Sequence, residues 1–273
     1  MGDNMYDLNK INDYLNTQTI GRTVIQYDEL ISTHLKAKNI FNTCPEGAVV
    51  LSESQSKWNL RMGKEWICCP EKNIYLSIIL KVKVNNHLIS KFDVIGCASV
   101  CEAINNLYNV ECKIKWPNDI LIKDRKISSV DSSILCKNNK SEGAILSFGI
   151  NVNMTYKELE ANDEIKNIAT SLLLEISEEV DRETLIGEIL NNIERYYNEL
   201  IMNNTISEAI TVYNLNSVIS NKDIEVMKKG KKSKRKVYAT SIDSEGCLIV
   251  TNDKGNKEIL DPGETIITYE KNA

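Results

Sequence analysis

The stretch at residues 115–126, KWPNDILIKDRK, constrains the fold more than any other part of the chain, because it predicts a tight β-hairpin. Pro117 fixes its own backbone φ and pushes Trp116 toward an extended conformation. Two polar residues then lead into an apolar run, a charged turn and an alternating return segment. We therefore predict a hairpin over residues 119–135 that turns at residues 123–124 or one residue later.

This hairpin places a carboxylate and an ammonium group on one face of the sheet. Side chains alternate between faces, so Asp119 and Lys126 point the same way across a two-residue loop. If Leu121 opposes Lys126, Asp119 is the diagonal neighbour, roughly 7–8 Å away, with room for a reacting group between them. Asn118 begins the strand with an amide that both donates and accepts hydrogen bonds. The pattern suits an anionic ligand, and a surface ion pair is the alternative interpretation.

The rest of the chain predicts a mixed α/β body followed by a small β module. The helix-like periodicity and the short strands to about residue 215 predict a mixed sheet with packed helices, an α/β (α+β) catalytic domain over residues 1–215. After Asn214 short strands follow one another without a helical pattern, which is typical of a small β-barrel over residues 216–273. Strands are predicted at 21–27, 47–54, 73–84, 111–116 and 143–154, and helices at 28–40, 91–109 and 181–202 with Asp181 as N-cap.

Composition and charge narrow the classes of function. Hydrophobic residues make up 42% of the chain and charged residues 26%, as in ordinary globular proteins. A net charge of −5 argues against a surface built mainly for nucleic acid. No apolar run approaches the roughly 20 residues that span a bilayer, and no secretory signal is visible, so we expect no membrane partner and a cytoplasmic location.

Two further patterns each have an ordinary interpretation and a functional one. Cys97 and Cys101, two of the eight cysteines, could form a metal pair, but they lie on an apolar helical stripe that predicts core packing. The basic run at residues 228–236, KKGKKSKRK, predicts a solvated hairpin tip. Its functional alternative is the steering of an acidic protein partner or a nucleic acid.

The KWPND element, followed by Lys126, resembles the signature of biotin protein ligases. Other segments resemble that family in the same order along the chain, from about residue 20 to the end. The C-terminal β module is similar to the SH3-like domain of the family. The matching segments are ELISTH at 29–34, GAVVLSESQ at 47–55, RMGKEW at 61–66, NIYLSIIL at 73–80 and FGINVN at 148–153.

This resemblance implies a two-step acyl transfer that uses ATP and Mg²⁺. The carboxylate of biotin attacks the α-phosphate of ATP and gives biotinoyl-AMP and pyrophosphate. A lysine on the biotin carrier domain of a carboxylase then attacks the mixed anhydride. The implied partners are therefore biotin and a biotin carboxyl carrier protein or domain, and the resemblance leaves a homodimer open.

The resemblance also implies roles for particular residues. Short polar groups would satisfy the ureido ring of biotin, whose unmade hydrogen bonds would cost roughly 1–3 kcal/mol each. Cations would offset the repulsion between the carboxylate and the triphosphate. The implied set is Ser32, Thr33 and Gln55 for biotin, Lys126 beside the reacting oxygens, Asp119 for the incoming lysine, Arg61 as a phosphate clamp, and Lys64, Lys115, Asn118 and Asn151 on the nucleotide side.

The chain departs from the family pattern in its basic glycine-rich loop, usually GRGRxGR. Residues 58–64 read WNLRMGK, which keeps Arg61 and Gly63 and places Trp58 and Leu60 where glycines are usual. Outside this loop, Ile31 replaces an acid, His34 replaces an asparagine, and Ser129 stands where a glycine is common. Two alternatives stay open beside an active ligase: a catalytically weak biotin-binding pseudoenzyme, and a lipoyl or octanoyl ligase of the same fold.

Some bifunctional relatives carry an N-terminal winged helix that binds operator DNA. Fewer than about 20 residues precede the predicted strand at 21–27, which is too short for such a domain. We therefore expect a monofunctional ligase that does not bind DNA.

The altered loop predicts a weaker hold on the adenylate. Each charge-assisted hydrogen bond lost with an arginine would remove ~1.5–3 kcal/mol, so release of biotinoyl-AMP should be faster than from a ligase with the full GRGRxGR loop. Stopped-flow measurement of adenylate dissociation from both proteins checks this. Release as slow as that of the arginine-rich ligase would contradict it.

Overall fold

The computed structural model describes residues 5–56, 68–82, 89–138, 140–161, 163 and 165–269. Its helices are α1 Leu8–Tyr14, α2 Thr33–Ile40, α3 Ile89–Leu107, α4 Tyr156–Glu160, α5 Leu172–Ile176, α6 Arg182–Asn203 and α7 Ser207–Leu215. Its strands are β1 Val24–Leu30, β2 Val49–Gln55, β3 Ile74–Leu80, β4 Cys112–Lys115, β5 Asp119–Ile122, β6 Arg125–Lys137, β7 Lys140–Ile150, β8 Lys222–Lys228, β9 Lys234–Ile242, β10 Leu248–Thr251, β11 Lys257–Leu260 and β12 Thr265–Thr268.

The first seven strands form one mixed sheet in the order β1-β2-β3-β7-β6-β5-β4. β1 and β2 pair in parallel, and the other neighbours pair antiparallel. β3 is buried at every position, because helices cover the sheet on both sides. Leu76 and Leu146 pack with α3 and α6 in the main core, whereas Val50, Ile79 and Ile145 pack under α2.

The last five strands form an antiparallel sheet in the order β11-β10-β9-β8-β12. This confirms the expected fold class of a mixed sheet with packed helices and a C-terminal β module. The domain boundary at residue 215 coincides with the end of α7 and stays a prediction. Contacts between the C-terminal module and the body include a hydrogen bond from Trp116 Nε1 to the carbonyl of Gly246 at 3.1 Å and an ion pair of Lys91 with Glu245 at 3.0 Å.

Each predicted element is present, but some bounds are corrected. The strand predicted at 21–27 runs from Val24 to Leu30. The helix predicted over 28–40 begins only at Thr33, because residues 28–30 continue β1 and pair with β2. Pairing between distant strands here overrides the local helical pattern. The N-cap prediction for α6 is confirmed, since the Asp181 carboxylate accepts from the Thr184 backbone N–H at 3.1 Å.

The ordinary interpretations of the cysteine pair and the basic run are also confirmed. Cys97 and Cys101 are fully buried in the core around α3. Residues 228–236 are exposed, and they join β8 to β9 as a hairpin. Among the described residues, no helix combines the length and apolarity needed to cross a bilayer.

Replacing Trp116 with phenylalanine should destabilise the fold. The substitution keeps an aromatic ring in the core but leaves the buried carbonyl of Gly246 without its indole donor, at a cost of roughly 1–3 kcal/mol. Urea unfolding measures the loss. Tyr238→Phe at a 41% exposed position is the control and should change stability by less than about 0.5 kcal/mol. Equal effects of the two substitutions would contradict the role of this hydrogen bond.

Candidate active site

The hairpin at the far edge of the large sheet has the predicted turn. Leu121 pairs with Lys126 and Ile122 with Arg125, which leaves Lys123 and Asp124 as the two loop residues. Their φ values of 48° and 60° lie in the left-handed region that a type I′ hairpin turn requires at both positions. The predicted turn and the predicted pairing of Leu121 with Lys126 are therefore confirmed.

The acid and the amine of this hairpin share one face and touch each other. Lys126 Nζ lies 2.5 Å from Asp119 Oδ1, so the space expected for a reacting group is filled by an ion pair. A β-bulge between Ile120 and Leu121 shifts the register, so that Asp119 opposes Ser129 and accepts its hydroxyl at 3.2 Å. The Asp119 and Lys126 side chains are 29% and 21% exposed, which leaves the pair within reach of a ligand.

The turn of the hairpin is fastened to α5. Glu175, whose side chain is almost fully buried, pairs with Lys123 at 3.1 Å and with Arg125 at 2.5 Å. Burial by itself raises the pKa of Glu175, but the Thr170 hydroxyl and the two cations lower it below its ordinary value overall. The ionised carboxylate therefore holds the hairpin and fixes where its site-facing side chains lie.

Lys115 and Asn118 flank this pair in different ways. Lys115 on β4 opposes Asp119 on β5, and the Lys115 Nζ lies 5.5 Å from the ring centre of Tyr269. The buried Asn118 amide donates to the carbonyl of Val130 at 2.5 Å and so ties the start of β5 to β6. The nucleotide roles assigned to Lys115 and Asn118 stay predictions.

A second polar cluster lies where α2 meets β2 and β3. The Thr33 backbone N–H donates to Gln55 Oε1 at 3.2 Å, and the Ser77 hydroxyl donates to Thr33 Oγ1 at 2.9 Å. All three side chains are buried. Ser32 is the N-cap of α2, and its hydroxyl accepts from the Leu35 N–H at 3.4 Å. The structure thus brings Ser32, Thr33 and Gln55 together, and gives Ser32 a capping role.

The two clusters lie on the same face of the sheet, the one that α2 covers. Ser129 on β6 opposes Gly149 on β7, and two residues further along the same strands Asp131 opposes Ser147. Ser147 in turn opposes Ser77 on β3. Since residues two apart on a strand point the same way, the acid–amine pair and the Thr33 cluster share one surface.

Sequence reasoning missed a set of hydrogen bonds that extends this surface. His34 Nδ1 lies 2.9 Å from Ser147 Oγ and His34 Nε2 lies 3.0 Å from Ser133 Oγ. Ser147 Oγ lies 2.8 Å from Ser77 Oγ. The available signal was a serine inside each of two apolar strands, IYLSIIL and GAILSFGI, because buried hydroxyls need partners.

Of the remaining predicted residues, Asn151 lies beside the hairpin, where its backbone N–H donates to the Ile127 carbonyl at 2.8 Å, and two lie outside the described chain. The buried Asn151 amide donates to the Thr170 carbonyl at 3.1 Å and accepts from Asn73 at 3.3 Å, which joins β7 to its neighbours. Its assignment to the nucleotide side stays a prediction. Arg61 and Lys64 lie outside the described residues.

The comparisons with known proteins point to one family. Residues 29–153 match the model of the biotin/lipoate A/B protein ligase family. The bifunctional ligase/repressor BirA of Bacillus subtilis is 30% identical over 186 residues, which are 68% of this chain and 57% of that protein. Biotin–protein ligase 1, chloroplastic, of Arabidopsis thaliana is 24% identical over 204 residues, 71% of this chain and 53% of that protein. The chain therefore spans little more than half of these relatives.

Solved structures of the same class share the fold. The biotin protein ligase of Aquifex aeolicus in complex with biotin and ATP has a TM-score of 0.76 and 21% identity, and the match covers 91% of this chain and all of that one. The ligase of Leishmania major in complex with biotinyl-5-AMP has a TM-score of 0.57 and 18% identity, with 88% and 99% covered.

Stability should fall more steeply in acid with His34 than with asparagine at this position. Burial, and next the nearby Lys38 charge, lower the pKa of His34 below its ordinary 6.5. In this pH range the His34 ring binds a proton in the unfolded chain but not in the folded chain. The free energy of unfolding therefore falls as pH drops from about 6.5 to the lowered pKa. Urea unfolding of wild type and His34→Asn through this range tests it, and parallel pH profiles would contradict it.

Proposed function

The chain belongs to the biotin/lipoate A/B protein ligase family, and we propose that it is an ATP-dependent biotin–protein ligase. It would join biotin to a lysine on the carrier domain of a biotin-dependent carboxylase. The observation that carries the proposal is the shared sheet face, where a neutral hydrogen-bonding cluster and an acid–amine pair lie side by side. Biotin has the matching chemistry, a neutral ureido ring at one end and a carboxylate at the other.

The ring of biotin would lie at the Thr33 cluster. Thr33 and Gln55 are buried, and their polar atoms already hold each other in place. Such preorganised groups would bind the ureido ring without a large ordering cost. The apolar residues beneath α2, which include Val50 and Ile79, belong to the same side of the sheet and would suit the aliphatic tail.

Lys126 would act in the activation step. The carboxylate oxygen of biotin attacks the α-phosphorus of ATP, and the bond from that phosphorus to pyrophosphate breaks. Negative charge gathers on the phosphoryl oxygens, and the Lys126 ammonium would stabilise it. To do so, Lys126 must exchange its bond with Asp119 for one to the substrate.

Asp119, once separated from Lys126, would act in the transfer step. The amine nitrogen of the acceptor lysine attacks the acyl carbon of the adenylate, and the acyl bond to AMP breaks. An ammonium has no lone pair to attack with, so the lysine must lose a proton first. The Asp119 carboxylate, which is partly exposed beside Ser129, would orient the amine and accept that proton.

ATP would bind beyond this pair, near Lys115, with Arg61 and Lys64 as further cations. We propose Mg²⁺ as the companion of ATP, because this ion is usually held by substrate phosphates and only one or two carboxylates. Across the described residues no group of three or more histidine, cysteine, aspartate or glutamate side chains is arranged to hold a metal, and we assign no step to the ion.

The cytoplasm is the proposed location, because all eight cysteines are unpaired, as is usual in a reducing compartment. The lack of DNA binding and the oligomeric state, including the homodimer left open above, stay predictions.

Lys126→Gln should lower the rate of carrier labelling by roughly 10²–10³-fold, because the reacting charge loses its ammonium partner. The test is ATP-dependent transfer of labelled biotin to a purified biotin carrier domain. Lys123→Gln is the matched control: it removes a lysine from the same hairpin that faces Glu175 instead, and it should keep most of the activity.

Two results would contradict the proposal. No transfer of biotin by the wild-type protein would point to a binding protein without ligase activity. Labelling that lipoate or octanoate suppresses better than biotin does would point to the other branch of the family.

A further inference from the structure

An unbroken series of hydrogen bonds runs from the ring of His34 to the amide of Gln55. It passes from His34 Nδ1 to Ser147 at 2.9 Å, from Ser147 to Ser77 at 2.8 Å, and from Ser77 to Thr33 at 2.9 Å. Ser147, Ser77 and Thr33 are all buried. A hydroxyl has a single proton to donate, so the direction of one bond in this series determines the direction of the next.

The direction is set at the Gln55 end. The backbone N–H of Thr33 points at the Gln55 side chain at 3.2 Å, and only the amide oxygen can accept it. The Thr33 hydroxyl donates its own proton to the same oxygen, 3.5 Å away. With that proton committed, Thr33 Oγ1 accepts from Ser77.

The directions of these bonds then determine which ring nitrogen of His34 carries a proton. Ser77 donates to Thr33, so it accepts from Ser147, and Ser147 must accept from an N–H on His34 Nδ1. Nε2 is left to accept the Ser133 hydroxyl at 3.0 Å. The bonds require a proton on Nδ1, and burial and the Lys38 charge, which lower the pKa of His34, favour the neutral ring in which Nε2 accepts.

We propose that His34 is a positioning residue that, through the two serines, holds Thr33 as a hydrogen-bond donor toward the ligand. The site therefore selects a ligand with an acceptor oxygen at this point. The inference rests on the proposed function, in which that oxygen is the ureido carbonyl of biotin. The contact between Thr33 and Gln55 Oε1 is long at 3.5 Å, so a closer ligand acceptor would take over the proton.

The consequence is discrimination between ligands that differ in one atom. 2-Iminobiotin replaces the ureido carbonyl with an imino group, and its protonated ring presents N–H donors where biotin presents an oxygen. Its N–H groups would meet the proton of the Thr33 hydroxyl, because Thr33 Oγ1 accepts from Ser77 and directs its own proton toward the ligand. Desthiobiotin keeps the ureido carbonyl and lacks only the sulfur, so it should bind with the donor intact.

The test measures dissociation constants of the full chain for the three ligands near neutral pH by calorimetric titration. Ser77→Ala removes the proton donated to Thr33, and His34→Ala frees the series to reverse. Both should lower the ratio of the 2-iminobiotin constant to the biotin constant about tenfold, the factor that 1.4 kcal/mol represents. The ratio of desthiobiotin to biotin should stay within about twofold.

Ser128→Ala is the matched control. Ser128 lies on β6 beside the site residue Ser129 but faces the opposite side of the sheet, and its Oγ has no hydrogen-bond partner among the described residues. It should leave both ratios unchanged. Thermal unfolding of each variant identifies any that has lost its fold.

A second measurement uses the wild-type protein alone. The chain has two histidines, so the ring-nitrogen NMR signals of His34 are assigned by replacing His87. A neutral ring protonated at Nδ1 supports the proposal, and one protonated at Nε2 overturns it.

The possible outcomes distinguish a failure of the positioning role of His34 from a failure of the proposed function. Wild-type protein that binds biotin but whose ratios match those of Ser77→Ala and His34→Ala would overturn the positioning role alone. Wild-type protein that binds none of the three ligands would overturn the proposed function itself.

Discussion

The register of the seven-stranded sheet is the constraint on which the site depends. Because residues two apart share a face, the pairing of β3, β7 and β6 sets Ser77, Ser147 and Asp131 in one row and brings Ser129 into the next. A slip of one residue on β6 would turn Ser129 and Asp131 into the core under α3. The bulge beside Ile120 completes the arrangement, since it moves Asp119 opposite Ser129.

Burying the polar side chains of this row on β3, β7 and β6 costs free energy, and their hydrogen bonds offset that cost. A buried hydroxyl without a partner destabilises a fold by about 1–3 kcal/mol, and the row holds several of them. The series from His34 to Gln55 satisfies each hydroxyl with its neighbour. The same bonds orient the groups that would meet a ligand, so one arrangement serves both stability and recognition.

Local chemistry was enough to predict the hairpin, since proline, turn residues and alternation all agree at residues 115–126. The ordered motifs likewise predicted which residues meet at Thr33, Gln55 and Lys126. Three features were not predictable from one sequence. The start of α2 depends on β1 pairing with a distant strand, the pairing of Asp119 with Ser129 depends on a bulge, and His34 bonds to residues far away in the chain.

The central claim is that the Thr33 cluster and the Lys126 hairpin are the two ends of one ligand site. A crystal structure of the protein with biotin and a non-hydrolysable ATP analogue tests it most directly. We expect a ureido ring within hydrogen-bond distance of Thr33 or Gln55, and a carboxylate beside Lys126 with the Asp119–Lys126 ion pair opened. Biotin bound away from this face of the sheet, or an ion pair unchanged with both ligands in place, would contradict it.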